Sequence, residues 1–207
     1  MLLKLATNKF TYVITLIVFQ LAIYLLTMPR NLSWGAYGNA SDGAELITAV
    51  NYLGVPHPPG YPTYIILLKI FTSIIPFGNL ALKSNLFSVL TSITAISIIF
   101  LFTFKLSEKI YPDFPRFIRL IVCSIGGFII SASPLFWSQS IVTEVYSLNA
   151  LFVSLILLIS YKIIDNPSPK SLKTKYLAWG LTAGISLGNH LTILAVIAPL
   201  FCIILTQ

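Results

Sequence analysis

The chain has 207 residues, of which 57% are hydrophobic and 9% charged, with a mean hydropathy of +0.89. Soluble domains carry about 25% charged residues, so this composition cannot supply a water-facing globular surface, and its wealth of Leu, Ile, Val and Phe excludes a disordered chain. The net charge of +7 comes from 13 Lys and Arg scattered in small groups between apolar runs, a pattern of membrane-loop anchors and not of a nucleic-acid-binding stripe. The expected class is an all-α polytopic membrane protein, with membrane lipid as a partner and no nucleic acid. Cys123 and Cys202 both sit in apolar runs without His or Cys at ligand spacing and read as small buried hydrophobes.

A crossing of a hydrocarbon core about 30 Å thick takes about 20 apolar residues. The first such run, Phe10–Met28, follows Lys4 and Lys9 but is too long for an ordinary signal-peptide core and has no small-residue cleavage site after it; it reads as an uncleaved membrane helix. Further spans are expected at Leu82–Phe104, Phe117–Phe136 and Val145–Ile164. The stretch Tyr176–Leu205 would be about 45 Å long as one helix, and Gly188-Asn189-His190 interrupts it, so two short helices are expected at 176–189 and 191–205. Thr63–Pro76 offers too few apolar residues and contains Lys69; it reads as a juxtamembrane or re-entrant helix within a loop spanning 29–83.

The positive-inside rule sets the orientation. If Thr63–Pro76 does not cross, ten basic residues (Lys4, Lys9, Lys105, Lys109, Arg116, Arg119, Lys162, Lys170, Lys173 and Lys175) lie inside, against Arg30, Lys69 and Lys83 outside. Six crossings with both termini cytoplasmic follow. Asp42, Glu45, His57, Glu144 and the Asn189-His190 break then converge on the outer face. The sequons Asn31-Leu-Ser and Asn39-Ala-Ser fall in the same outer loop. Asp165-Asn-Pro-Ser-Pro-Lys-Ser is a turn-rich linker.

The polar residues on that face are the candidates for chemistry. Ser41 or Asp42 can cap a helix whose first turn holds Glu45, which places two carboxylates three residues apart on one face, suited to a general base with a supporting partner. In Val55-Pro56-His57-Pro58-Pro59-Gly60-Tyr61-Pro62 the prolines fix the backbone around one imidazole. Glu144 is a carboxylate near the outer end of a membrane helix, and such groups are functional candidates by default. Asn189-His190 interrupts a helix, which is tolerated in a membrane where it lines a cavity. No P-loop, zinc-ligand spacing, nucleophile elbow or dinucleotide fingerprint is present.

Taken together, Asp42-x-x-Glu45, Leu53-Gly-Val-Pro-His-Pro-Pro-Gly-Tyr-Pro62, Pro76-Phe-Gly78, Lys83-Ser-Asn-Leu-Phe-Ser88, Gln139-Ser-Ile-Val-Thr-Glu-Val-Tyr-Ser-Leu-Asn149 and Gly184-Ile-Ser-Leu-Gly-Asn-His-Leu-Thr192 resemble a large family of bacterial membrane proteins. That family is related to the animal endoplasmic-reticulum protein O-mannosyltransferase acting on receptor ectodomains, within the GT-C glycosyltransferase superfamily. The resemblance implies transfer of a sugar, with inversion, from a polyprenyl-phosphate donor to a hydroxyl of a protein or glycan acceptor at the extracytoplasmic face of a bacterial inner membrane. It implies Asp42 as general base with Glu45 as companion, His57, Tyr61 and Lys83 toward the donor phosphate, and Glu144, Asn149, Asn189 and His190 lining the site. No cofactor is implied and no divalent metal is required. The chain is expected to be the N-terminal part of a longer architecture.

Two other readings compete. A transporter or flippase of lipid-linked sugar would need charged or polar groups mid-membrane and a repeated half, and the mid-helix positions here are almost wholly apolar. A truncated, non-catalytic membrane subunit would make Asp42 and Glu45 dispensable. The topology is tested by labelling single cysteines introduced at Phe71 and Leu106: Leu106→Cys is expected to react only from the cytoplasmic side, and labelling from outside would reverse the arrangement.

Overall fold

In the computed structural model, residues 8–35, 38, 41–165 and 169–206 are described; Lys4, Asn39 of the second sequon, and Asn166 to Ser168 of the linker lie outside them. Among the described residues the elements are all helical: α1 Lys9–Thr27, α2 Gly43–Tyr52, α3 Pro62–Ile74, α4 Leu80–Ile110, α5 Arg116–Ala132, α6 Pro134–Ser140, α7 Tyr146–Asp165, α8 Pro169–Leu187, a 3-10 turn Leu191–Ile193 and α9 Leu194–Leu205.

Three helices, α1, α4 and α7, are long and apolar enough to cross a membrane, and α5 with α6 makes a fourth if that bent pair is one span. Six crossings are therefore not supported. α9 has only 12 residues, about 18 Å at 1.5 Å per residue, and α8 starts in the basic segment around Lys173 and Lys175. The run expected at Phe117–Phe136 is broken: α5 and α6 meet at 67°. Pro134 lacks the N–H that would continue the ladder and pushes the preceding Ser133 to φ −62°, ψ 137°. α4 exceeds its apolar stretch because Lys105 to Ile110 continue the helix past the membrane-thick part.

Two ties fix the direction of packing between α4 and α7. Lys109 Nζ bonds Asp165 Oδ1 at 2.8 Å near their C-terminal ends, while Thr143, just before α7, bonds Asn85 near the start of α4 at 2.7 Å. The two helices are therefore parallel, and α5 returns between them in the chain. Small side chains are buried on both helices: Ser84, Ser88 and Ser92 on α4 and Ser147 and Ser154 on α7. Small residues let backbones approach where lipid gives no hydrophobic drive for association. Phe10, Ile14 and Val18 on α1 and Ile121, Ile125 and Ile129 on α5 are exposed stripes at helical spacing, as lipid-facing surfaces require. Cys123 is half-buried and Cys202 exposed on α9, so the expectation of a buried Cys202 is not met.

Short helices α2 and α3 cover one end of this bundle. A cluster of buried apolar side chains including Leu46, Val50, Tyr64, Leu68, Leu148 and Ile193 joins them to α7 and the 3-10 turn. Lysines finish two of the helices: Lys69 Nζ donates to the carbonyl of Asn51 at 2.8 Å at the end of α2, and Lys83 Nζ to that of Thr72 at 3.2 Å at the end of α3, where cations suit the helix C-terminal dipole. The start of α3 is pinned to the break after α8. Thr63 N–H donates to the Gly188 carbonyl at 2.9 Å, and Thr63 Oγ1 to that of Ile185 at 2.7 Å. A Cβ on Gly188 would stand 2.5 Å from Thr63 Oγ1, and rotating that hydroxyl away would break its bond to Ile185. Gly188→Ala is therefore expected to destabilise the protein by about 1–3 kcal/mol, read as a lower Tm in detergent; an unchanged Tm would contradict the contact.

Candidate active site

The first turn of α2 and the loop before α3 bring three of the expected residues into one exposed group. Asp42 occupies the N-cap of α2 and Glu45 its first turn. Glu45 grips His57 at two atoms: Oε1 accepts the His57 backbone N–H at 2.7 Å, and Oε2 lies 2.7 Å from ring Nδ1. The other ring nitrogen, Nε2, lies 3.0 Å from the Tyr61 hydroxyl and 3.6 Å from Asp42 Oδ2. Ser41 Oγ donates to Asp42 Oδ1 at 3.1 Å. The imidazole thus stands between two carboxylates, each of them over 40% exposed.

The local sequence explains this placement. Gly60, at φ +89°, reverses the chain so that its N–H reaches the His57 carbonyl at 2.9 Å. Tyr61 follows at φ +45°, a conformation rare for a bulky residue and one that persists only where neighbours enforce it. Pro62 at the start of α3 and the Thr63 bond to Gly188 are those neighbours. The enforced turn swings the Tyr61 ring between the two histidines. It meets His57 edge-on at 5.2 Å and stacks on His190 at 6.1 Å and 15°.

Hydrogen bonding to Glu45 raises the affinity of His57 for its proton above the ordinary histidine value, with smaller help from the charge of Asp42. The same bonds to the His57 ring and backbone hold Glu45 below the ordinary carboxylate value.

Glu144 is different. It is 3% exposed, in the segment between α6 and α7. The backbone N–H groups of Asp42 and Val145 lie on its side of the segment and favour its charged form. Burial, and then the negative charge of Asp42, push its pKa up to about 7, against those N–H groups and the charge of His57.

His190 caps the 3-10 turn: its Nδ1 accepts the Thr192 backbone N–H at 3.2 Å and lies 2.7 Å from Thr192 Oγ1. Its ring also meets Tyr146 at 5.5 Å, and burial lowers its proton affinity. Asn149 Nδ2 reaches Thr192 Oγ1 at 3.4 Å, and Asn189 Nδ2 the Val145 carbonyl at 3.2 Å. Beyond Tyr146 and Asn149 opens a groove of about 540 Å³, lined also by Ser133, Leu135, Phe136 and Ala150.

Asp42, Glu45, His57, Tyr61, Glu144 and His190 are thus brought together, with Asn149 and Asn189 behind them. Lys83 is not: its ammonium holds the C-terminus of α3, at the far end of that helix from Tyr61. Among the described residues, no group of three His, Cys, Asp or Glu is arranged to hold a metal ion. Sequence reasoning had not singled out Tyr146, Thr143 or Asn85. All three lie inside the quoted motifs, but as neutral side chains they gave no signal of their own.

Comparison with known proteins gives the family. The profile described as "Protein O-mannosyl-transferase TMEM260 N-terminal domain" matches residues 42–207, starting on Asp42 and taking in every site residue above. This chain belongs to the TMEM260 N-terminal domain family. It is 36% identical over 184 residues to the mouse (Mus musculus) protein O-mannosyl-transferase TMEM260, covering 88% of this chain and 23% of that protein. It is 28% identical over 188 residues to the Dictyostelium discoideum protein O-mannosyl-transferase tmem260, covering 86% of this chain and 21% of that protein. The chain therefore spans less than a quarter of the length of these relatives. No solved structure gives a significant match.

In this TMEM260-type domain the Glu45–His57 pair has a defined pH window. The contribution from the raised His57 affinity is present below the ordinary histidine value and is lost as pH rises through the raised one. The contribution from Glu45 is present above the ordinary carboxylate value and is lost as pH falls through the lowered one. Glu45→Ala is expected to return the His57 titration, followed by NMR of the ring protons, to or below the ordinary value of 6.5. An unshifted titration would show that Glu45 does not hold the ring.

Proposed function

We propose that this chain carries the catalytic end of a glycosyltransferase that moves a sugar from a polyprenyl-phosphate donor to a hydroxyl group of a protein, at the extracytoplasmic face of its membrane. The bacterial inner membrane and membership of the GT-C superfamily belong to the same reading. The observation that carries it is the exposed Glu45–His57–Asp42 arrangement at one end of an apolar helical bundle, in a family whose relatives are named protein O-mannosyl-transferases.

Asp42 is the base in this mechanism. Glu45 is engaged by His57 at both oxygens, and Glu144 is too buried to meet an acceptor. Asp42 is exposed, and among the described residues its carboxylate is held by Ser41 and by a longer approach to His57. Its carboxylate takes the proton of the acceptor hydroxyl as that oxygen attacks the anomeric carbon. The bond from that carbon to the phosphate oxygen breaks, and the lipid phosphate leaves with the electron pair on the opposite face, inverting the centre. The leaving group is an anion and needs positive charge or hydrogen-bond donors more than an acid; the His57 imidazolium and the Tyr61 hydroxyl supply these. Lys83, bonded to the Thr72 carbonyl, would have to leave that carbonyl to take part. The mechanism requires no divalent ion. The parallel apolar helices keep the lipid chain at membrane depth, which puts its phosphate level with the polar end of the bundle.

The test is sugar transfer from a panel of labelled polyprenyl-phosphate sugars in membranes holding the protein. Asp42→Asn is expected to lower kcat by about 10²–10⁴-fold, the usual contribution of a positioned base. Wild-type rates from that variant would remove Asp42 as the base.

A further inference from the structure

His190 takes no part in the mechanism above, yet its ring is closely held. Nδ1 accepts the Thr192 backbone N–H at 3.2 Å and lies 2.7 Å from Thr192 Oγ1. Asn149 Nδ2 donates to that same oxygen at 3.4 Å, which leaves the Thr192 hydroxyl proton for the imidazole. Tyr61 stacks on the ring at 6.1 Å and 15°, and Tyr146 meets it at 5.5 Å and 46°. The residue is half-buried. Among the described residues it forms no ion pair, and its Nε2 has no hydrogen-bond partner.

A backbone N–H can only donate, so Nδ1 presents its lone pair to Thr192. Where one ring nitrogen accepts, a neutral imidazole carries its proton on the other. Burial favours the uncharged ring. We propose that His190 is a neutral hydrogen-bond donor that directs Nε2–H at a phosphate oxygen of the lipid-linked sugar, an inference that rests on the glycosyl-transfer reading. The contacts of Tyr61 support this target. Its hydroxyl lies 3.0 Å from His57 Nε2, the pair assigned above to the leaving phosphate, and its ring adjoins both imidazoles. Negative charge grows on the phosphate as the bond to the anomeric carbon breaks, and a donor already fixed in place gains strength with that charge. A neutral imidazole whose other nitrogen is fixed can act in this way. The two histidines therefore differ in kind. His57 stands between carboxylates that favour its charged form, whereas His190 is held by a threonine in one neutral tautomer.

His190→Asn separates this role from capping alone. Asparagine has an oxygen where Nδ1 stands and accepts the Thr192 N–H as N-cap residues do, but it has no atom at the Nε2 position; glutamine reaches that position with an N–H. His190→Asn is therefore expected to keep the Tm and lower kcat by about 10²-fold, the loss typical of one donor aimed at a developing charge. His190→Gln is expected to retain more of the rate. Two measurements on the unaltered protein in detergent need no turnover. Ring-nitrogen NMR of its two histidines is expected to place the His190 proton on Nε2, and polyprenyl phosphate without sugar is expected to shift that resonance. Full activity in His190→Asn would reduce His190 to a cap and overturn the proposal, as would equal losses in the two variants or a ring proton on Nδ1. A shift that needs the sugar-bearing donor, or that phosphatidic acid produces equally, would overturn the assignment to the donor phosphate. If the unaltered protein transfers no sugar, or Asp42→Asn is fully active, the glycosyl-transfer reading fails instead, and the NMR titration still decides whether His190 donates to a polyprenyl phosphate.

Discussion

Glu45 holds His57 at its backbone N–H and at its ring nitrogen, and the polar end of the molecule is organised around that double contact. A carboxylate that bonds only a ring leaves the loop behind it free to turn; one that also takes the main-chain N–H fixes the loop. With His57 fixed, Nε2 is aimed at Tyr61 and Asp42. With Tyr61 forced into a left-handed turn, its ring reaches His190 beside the interruption between α8 and the 3-10 turn. One charge-assisted contact on a loop thereby links segments more than a hundred residues apart.

The bundle beneath imposes the other condition. Within a membrane every backbone group needs an internal partner, so irregular segments are confined to the ends or to cavities. The Pro134 kink, the segment Ile141–Val145 and the turn at Gly188-Asn189-His190 all lie at the same end as α2. There Asn85 and Asn189 donate to backbone carbonyls, and Thr143 donates to Asn85. The opposite end is joined by ion pairs, Lys109 with Asp165 and Arg116 with Glu108. The molecule thus has one end where Asp42, Glu45 and Glu144 gather with both histidines, and a second end where carboxylates pair with basic side chains.

Chain chemistry made much of this legible. Apolar runs located the long helices, Gly188-Asn189-His190 marked a real break, and the spacing of Asp42 and Glu45 put both carboxylates within reach of His57. Other features were hidden. Pro134 sits inside an unbroken apolar run, so hydropathy cannot register the 67° bend that its missing N–H produces. Lys83 has the charge expected of a phosphate ligand, but a carbonyl at the end of α3 claims it. Asn85 and Thr143 are neutral and ordinary in sequence, and acquire meaning only as partners of each other.

Composition and periodicity alone therefore determined that this is a helical membrane protein with its acidic and histidine side chains gathered in a few segments, because both properties are sums over neighbouring residues. Only the tertiary structure decided which carboxylate is gripped, which is buried and which stays open, and how many helices have the length to cross. Those outcomes depend on contacts between residues far apart in the chain. Glu45, Glu144 and Asp42 have the same functional group, and what separates them is the neighbour that each one meets.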